Sequence, residues 1–265
     1  MKHIIMTGCK KAEYQEYKLD KMEPDEVMGK TIVSVISPGT ELARYKEAQY
    51  PYEPGYACIF EVEEIGDSVT DISIGDTVFC EGKHRSYQRM PETKCHIVPE
   101  NMAVEDTVFV RFVKMAHSIR CLSQKKHFSV LGRGLVASFL KQIDGCTNNS
   151  DVIFDCTENE KTILTYPPGS TIYLVGRPWR QNSKLSAHNI YSLVFLNRIT
   201  LKSGWEERSD DYESYMKLQR QIKIENLYDI DKPANCQAVY NRFLNNRKKL
   251  TTIFDWREEE NAKRS

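Results

Sequence analysis

The segment with the clearest chemical potential is Gly132-Arg133-Gly134-Leu135-Val136-Ala137. It follows His127-Phe128-Ser129-Val130-Leu131, an apolar run that reads as a buried strand, and leads into Ser138-Phe139-Leu140-Lys141-Gln142-Ile143, which reads as helix. A Gly-x-Gly-x-x-Ala turn between strand and helix is the setting in which a main chain receives a dinucleotide pyrophosphate. The first glycine permits the tight turn and the second lets a phosphate approach the backbone. The small Ala137 lets the helix pack against the strand. Arg133 is either a phosphate contact or a solvated loop arginine. Metal chemistry has less support. Eight cysteines, at 9, 58, 80, 95, 121, 146, 156 and 236, include no C-x-x-C pair, whereas structural zinc needs soft ligands at short paired spacings. Reduced thiols and no metal site are expected.

The elements that must position this turn change period along the chain. The first half reads as β. Lys30 to Ile36 forms a strand, Ser37-Pro38-Gly39 breaks it, and Thr40 is expected as the N-cap of a short helix over Glu41 to Tyr45. CIFEVEEIG, ISIGDTVF, HRSYQRM and HIVP supply short strands with Gly and Asp turns, a pattern of small barrels and sandwiches. Residues 104–122 read as one helix. After the glycine turn, DVIFDC, a helical ENEKTILTY and the strand STIYLVG alternate β with α, which indicates a parallel sheet. The terminal REEENAKRS is a charged tail.

Composition bounds the partners. The 265 residues carry 37 Lys+Arg against 37 Asp+Glu, for a net charge of zero, with 40% hydrophobic and 28% charged residues. That balance argues against a nucleic-acid or anionic-membrane binder. No run approaches ~18 uninterrupted apolar residues, and the apolar stretch in MKHIIMTGC is too short for a signal peptide. A cytoplasmic location is expected.

ISPGTELARY, YPYEPGYACIFEVEEIGDSV, IGDTVF, the Gly-x-Gly turn, SDVIFDCTEN, PPGSTIYLVGRP and PANCQAVYNRFL with LTTIFDW occur in the order of the medium-chain dehydrogenase/reductase superfamily. The chain resembles that zinc-type alcohol-dehydrogenase-like group over nearly its whole length. The resemblance implies α/β architecture with a β-rich part: a GroES-like barrel of residues 1–124 with 224–265, and a Rossmann-like domain of residues 125–223.

Three departures qualify it. Where zinc members carry a Cys before Gly-Thr-Asp/Glu, this chain has Pro38. Their Gly-His-Glu is Gly55-Tyr56-Ala57, and their third ligand position falls near Val110-Arg111. The four-cysteine zinc lobe is also missing near Phe79 to Met90. The expectation is a zinc-free member. Second, relatives are longer, mostly between the glycine-turn helix and SDVIFDCTEN. If DVIFDC and STIYLVG are the family's fourth and fifth strands, strands two and three have been excised, leaving a sheet of about four strands. In a competing register DVIFDC is the second strand, and Asp155, near the ~20-residue offset of the fingerprint, holds the adenosine ribose. The downstream segments favour excision. Third, excision removes the adenosine half of the cofactor site and leaves strand one as an edge needing cover.

The resemblance thus implies a zinc-independent NAD(P)-dependent oxidoreductase reducing a carbonyl or activated double bond of a small molecule. The alternative is a catalytically retired binding or assembly protein. NAD(P) is expected to bind weakly or not at all, at Gly132, Arg133, Gly134, Val175 and Gly176, with Ser203-Gly204 nearby. Tyr56 or Thr40 would manage the proton, unless Tyr56 merely fills the vacated metal site and Thr40 merely caps. His84 is a lesser candidate. A homodimer through the strand ITLKSGW is expected.

Overall fold

The computed structural model describes residues 1–47, 49–124, 127–157, 159, 162, 165–176, 187–205, 211–245 and 248–257. The chain divides into two compact units, Met1–Arg111 with Ile224–Ser265, and Phe112–Lys223. The first unit opens with a hairpin of β1 (Lys2–Gly8) and β2 (Lys11–Glu16). It continues with β3 (Glu26–Val35), α1 (Pro38–Glu47), β4 (Ala57–Ile65), β5 (Thr77–Cys80), β6 (Tyr87–Pro91), β7 (His96–Ile97) and α2 (Val104–Thr107). The chain then runs through α3 (Val110–Leu122), β8 (Ser129–Gly132), α4 (Leu135–Leu140), β9 (Val152–Cys156), β10 (Thr171–Leu174), α5 (Ala187–Leu196), β11 (Thr200–Ser203) and α6 (Tyr212–Gln219). It returns to the first unit with β12 (Tyr228–Asp231), α7 (Cys236–Asn245) and β13 (Thr251–Asp255).

The first unit is built on β3, whose Val27, Val33 and Val35 are fully buried. Its first half pairs with β6 and its second half with β13, while β4 runs antiparallel along nearly its whole length. A single strand thereby anchors the mixed sheet β12-β13-β3-β4-β5-β7. At Gly29 the ladder shifts register, and a Cβ there would lie 1.8 Å from the Glu61 carbonyl oxygen. Only glycine permits that approach. The late segment adds Val239, Tyr240, Phe254 and Trp256 to the core around Met6, Ile36 and Tyr45.

Two local expectations are corrected. Thr40 is not the N-cap: α1 begins at Pro38, and Ser37 precedes it. The Ser37 carbonyl accepts from the Glu41 amide at 2.8 Å, and the Ser37 amide donates back to Glu41 Oε1 at 2.8 Å. Proline suits the first helical position, where an amide hydrogen would lack an intrahelical partner, so Ser37-Pro38 starts the helix. The expected single helix over 104–122 is two, α2 and α3, separated at Val108-Phe109. Just before the break the Thr107 hydroxyl donates to the Ala103 carbonyl at 2.8 Å, a back-bond that bends helices. The expected helix ENEKTILTY and the charged tail fall largely outside the described residues.

A polar network crosses the first unit's core. Glu41 Oε2 accepts from the Tyr240 hydroxyl at 2.5 Å and lies 3.1 Å from His84 Nε2. His84 Nδ1 is hydrogen-bonded to Ser34 Oγ at 2.7 Å, which also accepts from Trp256 Nε1 at 2.8 Å. Glu41 and His84 are both essentially sealed from solvent, and burial together with the Glu41 carboxylate holds the Tyr240 phenol well above its usual range. His84 therefore joins α1 to β3 rather than facing a ligand.

The second unit is an all-parallel sheet in the order β11-β10-β9-β8. Phe128, Phe154 and Tyr173 pack in succession through it, with ring centroids 5.1 and 5.3 Å apart. The strand order selects the excised register. Had β9 and β10 been strands two and three, the next strand would flank β8 on its free side. Instead β11 lies beyond β10. Strand one is an edge, as excision requires, and a loop covers its start: the Phe128 amide donates to the Gly145 carbonyl at 3.0 Å, and Phe128 O accepts from the Thr147 amide at 2.8 Å.

Replacing Glu41 by Ala leaves the Tyr240 hydroxyl, the Ser37 amide and His84 without their acceptor inside the core. The expected loss is about 3–5 kcal/mol, read as a lower urea midpoint at unchanged m-value. A loss under about 1 kcal/mol would show that the network is not structural.

Candidate functional site

In a parallel sheet the carboxyl ends of all strands share one edge, and ligands of such sheets bind there. In the second unit that edge carries Gly132 at the end of β8, Val175-Gly176 after β10 and Gly204 after β11. The two glycines of the turn do different work. Gly132 has φ +102°, and a Cβ on it would lie 2.6 Å from both the carbonyl carbon and oxygen of Cys156. Packing against the end of β9 and the backbone conformation both demand glycine. Gly134 has φ 165°, extended backbone open to any residue, and nothing lies within 4 Å of the place a Cβ would occupy. Neither strain nor crowding explains glycine there; its bare backbone borders open space. Arg133 between them is exposed, and Ala137 is buried where α4 meets the sheet.

The neighbouring loops are fastened by main-chain bonds. The amides of Val175 and Gly176 both donate to the Asp155 carbonyl, at 2.9 and 2.8 Å, and the Gly204 amide donates to Leu174 O at 2.9 Å. The Asp155 carboxylate is buried and committed: Oδ1 accepts from the Thr157 amide at 2.7 Å, and Oδ2 accepts from the Tyr166 hydroxyl. Burial, reinforced by that carboxylate, drives the Tyr166 phenol far above its usual range. Asp155 sits on β9, inside the sheet, and its oxygens are engaged within the protein. It is not placed to anchor a ribose beyond β8.

The first unit gathers the other candidates. Tyr56, immediately before β4, is buried, and the guanidinium carbon of Arg111 sits 3.7 Å from its ring centroid. Arg111 Nη1 donates to the Tyr56 carbonyl at 2.6 Å, and Nη2 pairs with Glu81 Oε2 at 2.7 Å. A cation so close to a ring face is attracted by its quadrupole. Burial raises the Tyr56 phenol above its ordinary value; Arg111 opposes this, and Glu81 and Glu41 add to it. The phenol is therefore held protonated at neutral pH. Thr40 is half-buried in the first turn of α1, its hydroxyl 3.4 Å from Ser37 Oγ.

Sequence reasoning set Arg111 aside because it cannot bind metal, and it did not single out Glu81. The signal was present: an arginine in an apolar segment must find a carboxylate or an aromatic face. By the resemblance, the positions at which that family holds zinc fall at Pro38, at Tyr56 and near Val110-Arg111; the side chains of proline, valine and a guanidinium offer zinc no ligand atom, so these residues do not fit that ion. Among the described residues no group of three or more His, Cys, Asp or Glu could hold a metal ion.

No family model matches the chain. Over 43% of its length it is 27% identical to a mitochondrial NAD(P)H oxidoreductase of Dictyostelium discoideum, a match that spans 38% of that protein. Solved structures match over far more of it. Galactitol-1-phosphate dehydrogenase of Escherichia coli superposes with TM-score 0.77 at 16% identity, covering 96% of this chain and 100% of that one. The Helicobacter pylori protein CAD, solved with NADP(H), gives TM-score 0.78 at 13% identity, over 96% and 97%.

Gly132→Ala should destabilise the second unit by about 2–4 kcal/mol, from the positive φ and the clash with Cys156. Gly134→Ser, with an extended backbone, free space and a good helix-capping side chain, should change stability by less than about 0.5 kcal/mol. Thermal unfolding of the two variants checks the contrast. Equal losses would mean that Gly134 is a structural glycine.

Proposed function

We propose that this chain, which has the GroES-like plus Rossmann fold of the medium-chain dehydrogenases/reductases, is an oxidoreductase drawing on NADH or NADPH. Its acceptor is a carbonyl or an activated double bond of a small molecule. The observation that carries this reading is the division of labour at the turn: Gly132 is required by the fold, whereas Gly134 leaves bare backbone beside open space at the carboxyl edge of the sheet. A turn whose backbone lies open leaves room for a phosphate to approach the main chain. The nicotinamide oxidoreductase match and the neighbour solved with NADP(H) point the same way.

When bound, a reduced nicotinamide supplies hydride. The residues of the chain do the rest. Gly132 and Gly134 shape the turn for the phosphate, with Arg133 within the same turn. Val175 and Gly176, pinned to the Asp155 carbonyl, line the nicotinamide side. Tyr56, held protonated by burial, donates the proton that a reduced carbonyl oxygen or carbon must receive, with Thr40 as the other hydroxyl of this unit. Arg111 fixes the Tyr56 ring by stacking on it and bonding its carbonyl.

The reaction in this reading needs no zinc, because Arg111 and Tyr56 occupy the ligand positions. A homodimer belongs to the same proposal. Among the described residues β11 ends the sheet, and α5 of the same unit exposes Tyr191, Phe195 and Leu196, apolar surface that a second copy would cover. The eight free cysteines suit a reducing compartment such as the cytoplasm.

Titration with NADH and NADPH, followed by nucleotide fluorescence and by thermal shift, tests the cofactor. Saturable binding is expected at about 0.1 mM or weaker, because half of the usual dinucleotide contacts are missing. No thermal shift at millimolar nucleotide would remove the oxidoreductase reading, since a ligand that binds only the folded state stabilises it. Elemental analysis of protein purified without chelator should find well under one zinc per chain; stoichiometric zinc would refute the metal-free part.

A further inference from the structure

We propose that Cys58 and Cys80 form a redox-modification site, at which hydrogen peroxide converts two buried thiols into a disulfide that clamps β4 to β5. The proposal goes beyond the oxidoreductase reading and does not depend on it.

The geometry of the strand pair carries it. Cys58 lies on β4, Cys80 ends β5, and the antiparallel register sets the two residues directly opposite each other. Opposed residues of such a pair have Cα atoms about 4.5–5.5 Å apart, inside the range that a disulfide spans. Both side chains point to the same face: their sulfurs touch at 3.3 Å, and both residues are fully buried. The neighbouring loop makes room for them. A Cβ on Gly82 would lie 2.4 Å from Cys58 Sγ, 3.1 Å from Cys80 Sγ and 2.6 Å from Gln88 Oε1. It is this crowding by the two sulfurs and the amide oxygen that calls for glycine. Cys95 belongs to the same apolar cluster, but Cys80 is the residue that opposes Cys58, so Cys95 serves as an internal control for the pairing.

The resting pair is protected. Its hydrogen bond to Cys58, together with burial, holds the Cys80 thiol well above its ordinary range, which leaves little thiolate at neutral pH. Reaction therefore follows local opening of β5, a four-residue strand whose outer neighbour β7 has two residues. One sulfur attacks a peroxide oxygen, the O–O bond breaks, water leaves with the thiol proton, and a sulfenic acid forms. The second sulfur then attacks the first. The S–S bond forms, the S–O bond breaks, and a second water leaves with the second proton. Two thiols have lost two electrons, and hydrogen peroxide has become two waters. The new bond would join strands whose ends carry Tyr56, immediately before β4, and Glu81, immediately after β5, the two residues that Arg111 connects.

The test exposes the full chain, reduced and then freed of reductant, to hydrogen peroxide, alkylates it in denaturant and maps the peptides by mass spectrometry. A linked Cys58–Cys80 peptide pair, released by dithiothreitol, is expected as the main intramolecular disulfide. It should form more slowly than the exposed Cys9 and Cys121 are oxidised. The oxidised chain should melt at least about 2 °C above the reduced one, because the bond closes a loop between residues 22 apart. Cys80→Ala, treated alike, should give neither the linked pair nor the shift, and the peptide map of the unsubstituted chain stands whether or not that variant folds. Recovery of Cys58 and Cys80 as alkylated thiols while Cys9 and Cys121 are oxidised would overturn the site. Pairing of either residue with Cys95 would overturn it too, and a Cys58–Cys80 bond without a rise in melting temperature would overturn the clamp.

Discussion

A parallel sheet that ends in β8 must satisfy that strand's outward-facing backbone without a neighbouring strand, and much of the second unit follows from this. Unpaired strand edges are exposed to water and to adventitious pairing. The chain meets the requirement locally. The connection after α4 folds back so that Gly145 and Thr147 bond Phe128, and Lys141 reaches the Gly132 carbonyl. Arg120 braces the same loop through the Asp144 carbonyl and lies over the Phe128 ring, 5.1 Å from its centroid. Among the described residues these contacts hold the two ends of the strand, at Phe128 and at Gly132.

The first unit answers a different problem, that of charge in an apolar interior. The Arg111 guanidinium stacks on Tyr56 and pairs with Glu81, so the cation is shared between a ring face and a carboxylate. Deeper in the core, Glu41 gains donors from Tyr240 and the Ser37 amide and contacts His84. A buried carboxylate persists only when so many of its lone pairs are used.

Most of the architecture was legible in the sequence because it depends on period. Alternating apolar positions pointed to β4, the run from Lys30 to Ile36 to the second half of β3, and a turn-and-strand unit to β5, while the strand-glycine-helix succession pointed to β8 and α4. The four-strand order follows from reading DVIFDC and STIYLVG as consecutive neighbours. What escaped was chemistry that depends on partners distant in the chain. Thr40 looked like a cap, yet Pro38 set the helix start, and Ser37 and Glu41 closed it reciprocally. Arg111 could be dismissed as a ligand, but nothing in its own segment announces Tyr56 or Glu81. His84, a candidate on its own, becomes structural once Glu41 and Ser34 are seen on its two nitrogens. No local pattern encodes a bond across 43 residues of chain.

The glycine turn separates fold from function more sharply than any other part of the molecule. Both glycines belong to one motif, and sequence alone assigns them together. Their surroundings divide them: the Cβ that Gly132 lacks would strike Cys156, whereas the Cβ that Gly134 lacks would meet no atom within 4 Å. A chain that needed only the turn would require the first glycine and tolerate almost any residue at the second. Glycine at the second position, beside space that the protein leaves open, is a feature folding does not demand. The open place beside Gly134 is the ground on which the turn is proposed to receive a ligand.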